Sequence, residues 1–133
     1  MSKKIKIGNK NYEIKVAQYA DNGRLYLGLY NKYGWYNDIT INLSDAPELT
    51  NRQIFLSNNL TKEERKALFN DGVITETMAY VPYNMSSYDV AFVDFNKLLE
   101  YDKSATEGFL KNRGIKLELE DDNTLNQDTE MER

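Results

Sequence analysis

The sequence predicts an α+β fold: a largely antiparallel β-sheet of five to seven strands with two or three short helices. Apolar and polar residues alternate over several short runs, as they do in strands that bury one face. Two separate segments carry the serine or threonine followed three residues later by glutamate that begins many helices. The length of 133 residues, with 41% hydrophobic and 29% charged residues, fits one globular domain.

The first third of the chain is predicted to be a β-meander. Turn signals separate its strands: Gly8-Asn9, Asn22-Gly23 and the segment around Lys32-Tyr33-Gly34. The alternating runs that predict the four strands are residues 5–7, 12–16, 25–29 and 39–43. Pro47 then interrupts the sheet, because proline has no N–H for a ladder hydrogen bond. The short apolar run at residues 54–56 is left unassigned.

The second half is predicted to combine helices and strands. A capping box at Thr61 and Glu64 begins a helix that Gly72 ends, and Ser104 with Glu107 forms a second box. Further elements are predicted at residues 73–83 (strand), 88–95 (strand), 96–102 (short helix) and 115–119 (strand). The strand at residues 88–95 is apolar on both faces, which is typical of a central strand.

Charge divides the chain into a body and a tail. Residues 1–120 are predicted to be one α+β domain, and residues 121–133 an acidic flexible tail. Seven acids and one base lie between Glu118 and Arg133, whereas the whole chain has a net charge of −4. The rest of the chain is therefore slightly basic.

Histidine and cysteine are both absent, which argues against most catalytic and metal sites. We expect no enzyme activity, no catalytic residue, no metal and no cofactor. The carboxylate pairs Asp89–Asp94 and Asp121–Asp122 match no calcium loop. No run of roughly 20 apolar residues is present, so no membrane span is expected, and the chain is predicted to be cytoplasmic.

Tyrosine is the most informative residue type. The chain has ten tyrosines and one tryptophan, and a cluster spans the predicted turn: Tyr30, Tyr33, Trp35 and Tyr36. Tyrosine and tryptophan dominate interface hot spots, and turns project outwards. The cluster is therefore a candidate partner-binding surface, although aromatic residues also pack within sheets.

The acids around residue 120 form a second candidate binding element: Glu118, Glu120, Asp121 and Asp122. Alternate residues of an extended chain lie on one side, roughly 6–7 Å apart, a spacing comparable to that of phosphates in extended nucleic acid. Such an array would imitate DNA in the basic groove of an enzyme. The alternative is a tail that only keeps the protein in solution.

Lysines are enriched at the start of the chain, among them Lys4, Lys6, Lys10 and Lys15. They could contact phosphate, but lysines on edge strands also prevent unwanted strand pairing. Since the chain lacks an arginine cluster and is acidic overall, no direct DNA binding is expected.

Four segments between residues 20 and 95 carry a resemblance to a known family. They are Asn22-Gly23-Arg24-Leu25, Ile39-Thr40-Ile41-Asn42-Leu43-Ser44, Ala67-Leu68-Phe69-Asn70-Asp71-Gly72-Val73-Ile74 and Tyr80-Val81-Pro82-Tyr83. In these the chain resembles a family of small uncharacterised proteins of bacterial conjugative elements and phages. The family has no assigned active site, so the resemblance implies a mobile-element setting and no site residue.

The expected function is a protein-binding inhibitor of a nucleic-acid-handling host defence enzyme, of anti-CRISPR or anti-restriction type. It would act by occluding a basic groove of a host nuclease or another nucleic-acid-binding protein. The alternatives left open are a carbohydrate- or nucleotide-binding module, a carboxylate-based hydrolase and an accessory structural protein of a mobile element.

Overall fold

The computed structural model describes residues 2–46 and 50–117, in which seven strands form two antiparallel sheets and three helices pack beside them. The elements in chain order are β1 (Ile5–Ile7), β2 (Lys10–Gln18), β3 (Leu25–Asn31), β4 (Gly34–Asp38), β5 (Gln53–Phe55), α1 (Lys62–Asp71), β6 (Ile74–Tyr83), β7 (Ser86–Val93), α2 (Phe95–Tyr101) and α3 (Lys103–Asn112). The strand order is β1-β2-β3-β4 in the first sheet and β5-β7-β6 in the second. The predicted α+β class is confirmed, with its strands divided between two sheets.

The first three strands follow the predicted meander. Ile5 pairs with Tyr12, and Gly8 makes the tight turn between β1 and β2 with a φ of 63°. Ile14 on β2 and Leu27 and Leu29 on β3 have no exposed surface. Period-two burial on these strands fixes their register, because a one-residue slip would turn the apolar side chains to solvent.

The predicted fourth strand at residues 39–43 is wrong, because β4 lies earlier, at Gly34–Asp38. The segment instead crosses between the sheets. The N–H groups of Ile39 and Thr40 both donate to Leu27 O, and the Ile41 N–H donates to Phe55 O. Ile39 enters the main core and Leu43 a smaller cluster, and within the described part of the chain the only strand-like pairing of residues 39–43 is a single antiparallel bridge between Thr40 and Leu56.

The strand β7 is central in the second sheet, as its two apolar faces predict. Ala91 and Val93 face the main core, whereas Val90 belongs to the smaller cluster with Phe55. The strand ends at Val93, two residues earlier than predicted, because Asp94 caps α2. The unassigned apolar run at residues 54–56 forms most of β5.

The first capping box is confirmed. The Glu64 N–H donates to Thr61 Oγ1 at 3.0 Å, and the Thr61 N–H donates to Glu64 Oε1 at 2.9 Å. Gly72 ends α1 in the left-handed region with a φ of 89°. Each terminus of α1 thus has the partner that its unpaired backbone groups need.

The second capping box, at Ser104, is wrong. Helix α3 begins at Lys103, directly after the single residue Asp102 that separates it from α2, so Ser104 already lies inside the helix. Asp102 makes no side-chain cap, and its Oδ2 accepts the Val16 N–H at 2.9 Å instead. The carboxylate therefore fastens the α2–α3 corner to β2.

The predicted last strand does not form over residues 115–117, which are irregular. After Gly114, with a φ of 66°, the Ile115 N–H bonds to Leu110 O, and Leu117 packs against the core. The remainder of that prediction and the predicted tail at residues 121–133 lie outside the described residues. No helix in the described part has the length and apolar character needed to cross a bilayer.

Candidate binding surface

The outer face of β3 carries the first part of the candidate surface. Leu25, Leu27 and Leu29 point into the core, so Tyr26, Gly28 and Tyr30 point away from it. A side chain at Gly28 would collide with the rings of both tyrosines, which close over it from either side. Glycine is therefore required here by the rings, and its φ lies outside the left-handed region.

Asp38, at the end of β4, fixes two of these aromatic residues. Its Oδ1 accepts a hydrogen bond of 2.7 Å from the Tyr26 hydroxyl and one of 2.8 Å from Trp35 Nε1. Trp35 lies directly opposite Tyr30 in the β3–β4 pairing. The indole is thus held in one orientation while 59% of the residue stays exposed.

We call the four residues Tyr30, Tyr33, Trp35 and Tyr36 the hairpin aromatic cluster. Tyr33 lies in the two-residue turn between β3 and β4 and is 86% exposed, and Tyr36 is 45% exposed. Tyr30 is partly buried on the outer face. Large aromatic surface left in water at a hairpin tip is unusual for a side chain that only packs a sheet.

The residues of the hairpin aromatic cluster lie on two different faces of the first sheet. The β3–β4 register shifts between Leu29 and Tyr30, and Tyr36 is the extra residue of the resulting bulge. Its ring packs on Tyr12, with centroids 4.9 Å apart, and Tyr12 belongs to the core. Trp35 and Tyr30 therefore share the outer face, whereas the Tyr36 ring lies on the core side, against Tyr12.

Lysines surround the outer-face rings. Lys15 Nζ lies 5.1 Å from the Tyr30 ring centroid, and Lys32 Nζ lies 5.2 Å from that of Tyr33. These are cation–π distances. Beside them is an open groove of about 570 Å³ whose lining includes Tyr12, Tyr30, Tyr33 and three lysines, Lys4, Lys10 and Lys32. Lys10 and Lys15 were predicted on edge strands, but they lie on β2, which is an interior strand of the first sheet.

Burial raises the pKa of two tyrosines beneath this surface. For Tyr12, burial acts together with the neighbouring hydroxyl of Tyr36. The pKa of Tyr26 is raised by burial and then by the hydrogen bond to Asp38, whose charge disfavours a phenolate. Both hydroxyls stay protonated at neutral pH, so they act as hydrogen-bonding groups and not as general bases.

The predicted acidic element at Glu118, Glu120, Asp121 and Asp122 lies outside the described residues. The other carboxylate pair has structural partners: Asp89 pairs with Arg65 Nη2 at 2.7 Å, and Asp94 Oδ1 accepts the Asn96 N–H. Among the described residues, no three acidic side chains converge in a way that could hold a metal ion.

Four exposed large apolar side chains lie along the β6–β7 hairpin of the second sheet and were missed in the sequence. Met78, Tyr80 and Met85 are 89%, 66% and 106% exposed, and Phe92 is 44% exposed. Met78 and Met85 have φ values of 67° and 65°, in the left-handed region that non-glycine residues rarely adopt. Met78 lies in an irregularity of β6 between Glu76 and Tyr80, and Met85 lies in the turn between β6 and β7, so no strand periodicity marks either residue.

Comparison of the chain with protein-family models, curated proteins and solved structures finds no match.

Proposed function

We propose that this chain is a non-catalytic binding protein that inhibits a nucleic-acid-handling enzyme, with the hairpin aromatic cluster as its protein contact. The observation that carries the proposal is the exposure of Tyr33, Trp35 and Tyr36 at one end of a rigid hairpin. Rings of this kind give large contact area at a low cost in side-chain entropy.

Preorganisation supports a binding role for Trp35. The indole N–H is already satisfied by Asp38, which the Tyr26 hydroxyl also bonds. A ring held before contact loses less conformational entropy on association than a mobile one. The Tyr36 ring is also held before contact, because it packs on the Tyr12 ring.

The inhibitory part of the proposal rests on charge. The acids Glu118, Glu120, Asp121 and Asp122 would enter the basic groove of a host nuclease, while the rings grip a neighbouring surface. The mobile-element setting that the resemblance implies is the reason for naming a host defence enzyme, of anti-CRISPR or anti-restriction type, as the partner.

A pull-down from a bacterial lysate followed by mass spectrometry tests the proposal, provided that the captured protein is then assayed. We expect a nucleic-acid-handling enzyme whose activity falls on addition of the purified chain. Trp35→Ala and Tyr36→Ala should each cost about 1–2 kcal/mol of binding free energy if the cluster is a hot spot. Tyr80→Ala is the matched control, since Tyr80 is a similarly exposed ring on the other sheet.

The charge component has its own test. Neutralising Glu118, Glu120, Asp121 and Asp122 together should weaken capture and flatten its dependence on salt concentration. An unchanged salt titration would reject mimicry and leave the aromatic contact standing. Equal losses from Tyr80→Ala and Trp35→Ala would remove the hairpin from the contact surface.

A further inference from the structure

We infer that the groove between β1, β2 and the β3–β4 turn binds a single strand of nucleic acid, with its phosphates on lysines and its bases on the rings of Tyr30 and Tyr33, the buried Tyr12 forming the floor. The site shares Tyr30 and Tyr33 with the proposed protein contact but does not depend on that proposal, and it revises the expectation, drawn from overall charge, that the chain does not bind DNA directly. We call it the lysine–tyrosine groove, and define it by Lys4, Lys10, Lys32, Tyr12, Tyr30 and Tyr33.

The groove is assembled from three separate segments of the chain. Lys4 precedes β1, Lys10 begins β2, and Lys32 lies in the turn after β3. Pairing of Ile7 with Lys10 and of Glu13 with Tyr30 brings these segments side by side at one end of the sheet. Three positive charges therefore converge without being close in sequence.

The lysines of the groove are available to an anion. In the described part of the chain, no carboxylate lies within 4.0 Å of Nζ of Lys4, Lys10 or Lys32. The one acid in the lining is Glu13, and its carboxylate is 3.9 Å from Lys15 Nζ, which stands over Tyr30. The groove is thus positive, and charge complementarity requires an anionic occupant.

The rings narrow the choice among anions. Tyr33 is 86% exposed beside Lys32, so one face of a solvent-accessible ring is free to stack while the cation stays within reach. Aromatic rings interleaved with lysines suit a strand whose bases are unpaired, since every base offers a π-face. An acidic peptide would use the lysines and leave the rings without a partner, and a duplex would keep its bases stacked inside.

The test uses the full chain and a fluorescein-labelled oligothymidylate of roughly 12 nucleotides, followed by fluorescence anisotropy. We expect saturable binding. A plot of the logarithm of the association constant against the logarithm of salt concentration should have a slope of about −2, for three phosphate contacts on a single strand. The double substitution Lys10→Gln with Lys32→Gln should reduce that slope to about −0.7. Tyr33→Ala should weaken binding at least about fivefold through lost stacking.

The matched control is Lys103→Gln with Lys111→Gln, which removes the same charge from exposed positions on α3 away from the groove. It should leave the slope unchanged, and circular dichroism should show that all variants remain folded. Absence of saturable binding at low salt overturns the inference. The inference is also overturned if the control variant lowers the slope as much as the groove variant does. The same holds if a duplex of the same length binds as tightly as the single strand, or if a polyglutamate peptide competes as well as unlabelled oligothymidylate. None of these outcomes involves a captured protein, so they leave the proposed function untouched.

Discussion

Tyr26 closes over Gly28 in the middle of β3, and the hydroxyl that it places beyond the glycine is bonded to Asp38 at 2.7 Å. A Cβ on Gly28 would lie 2.8 Å from Tyr26 Cζ and 2.9 Å from Tyr30 Cε1. The absence of a side chain at Gly28 thus gives room to two rings, and one of them shares the Asp38 carboxylate with the Trp35 indole on the next strand.

The first prediction follows from this packing. Gly28→Ala should lower the free energy of unfolding by about 1–3 kcal/mol, because the added methyl displaces both rings. Urea denaturation measures the change. Gly108→Ala is the control: Gly108 lies inside α3 with nothing within 4 Å of its missing Cβ, and this substitution should raise stability by about 0.4–1 kcal/mol. Similar values for the two variants would contradict the packing account.

The second prediction concerns Asp38, which touches no proposed ligand. Asp38→Ala should free the Trp35 ring and lower its steady-state fluorescence anisotropy, because the indole N–H loses its acceptor. Asp38→Asn keeps an oxygen acceptor and should retain most of the anisotropy. If both variants match the unsubstituted chain, Trp35 is oriented by packing alone.

The third prediction separates the two capping boxes. Thr61→Ala should cost about 0.5–2 kcal/mol of stability, since the Glu64 N–H loses its acceptor at the start of α1. Ser104→Ala should change stability by less than about 0.5 kcal/mol, because the exposed Ser104 lies within α3 and provides no cap. Thermal or urea unfolding of the pair gives the comparison, and a large loss from Ser104→Ala would restore the cap that the sequence predicts there.

The fourth prediction concerns the turn between β6 and β7. Asn84 and Met85 both have positive φ, at 49° and 65°, as a type I′ turn requires. Met85→Gly should stabilise the chain by about 1 kcal/mol, since glycine adopts this conformation without steric cost. Met85→Ala keeps the strain and serves as the control. A loss of stability in the glycine variant would show that the methionine side chain makes a contact of its own.

The fifth prediction concerns alkaline pH. The pKa values of Tyr12, Tyr19, Tyr26 and Tyr101 are all raised above 10, with burial as the largest cause. Above about pH 10 the unfolded chain loses these protons while the folded chain keeps them, so the contribution of these tyrosines to stability is constant at lower pH and falls as pH rises further. Ultraviolet absorbance should show part of the tyrosine ionisation coinciding with unfolding in circular dichroism. If all tyrosines ionise at a pH below that of unfolding, the prediction is contradicted.

Local patterns in the sequence determined much of the fold. Period-two alternation marked β1, β2 and β3, and the Thr61–Glu64 pair with Gly72 marked both ends of α1. These features depend on neighbours within a few residues, whose geometry the backbone fixes. The four aromatic residues of the hairpin were also visible, because a turn signal stood among them.

Tertiary structure decided which segments pair as strands, where helices begin and which side chains lie together, because alternation and spacing in the sequence do not determine these features. Residues 39–43 alternate like a strand but cross between two sheets, and Ser104 fits a cap but lies inside a helix that follows α2 after one residue. The fold also placed Trp35 and Tyr36 on different sides of a bulge and gathered Lys4, Lys10 and Lys32 into one groove. The crossing of residues 39–43 and the convergence of Lys4 with Lys32 depend on contacts between residues distant in sequence, which local patterns do not specify.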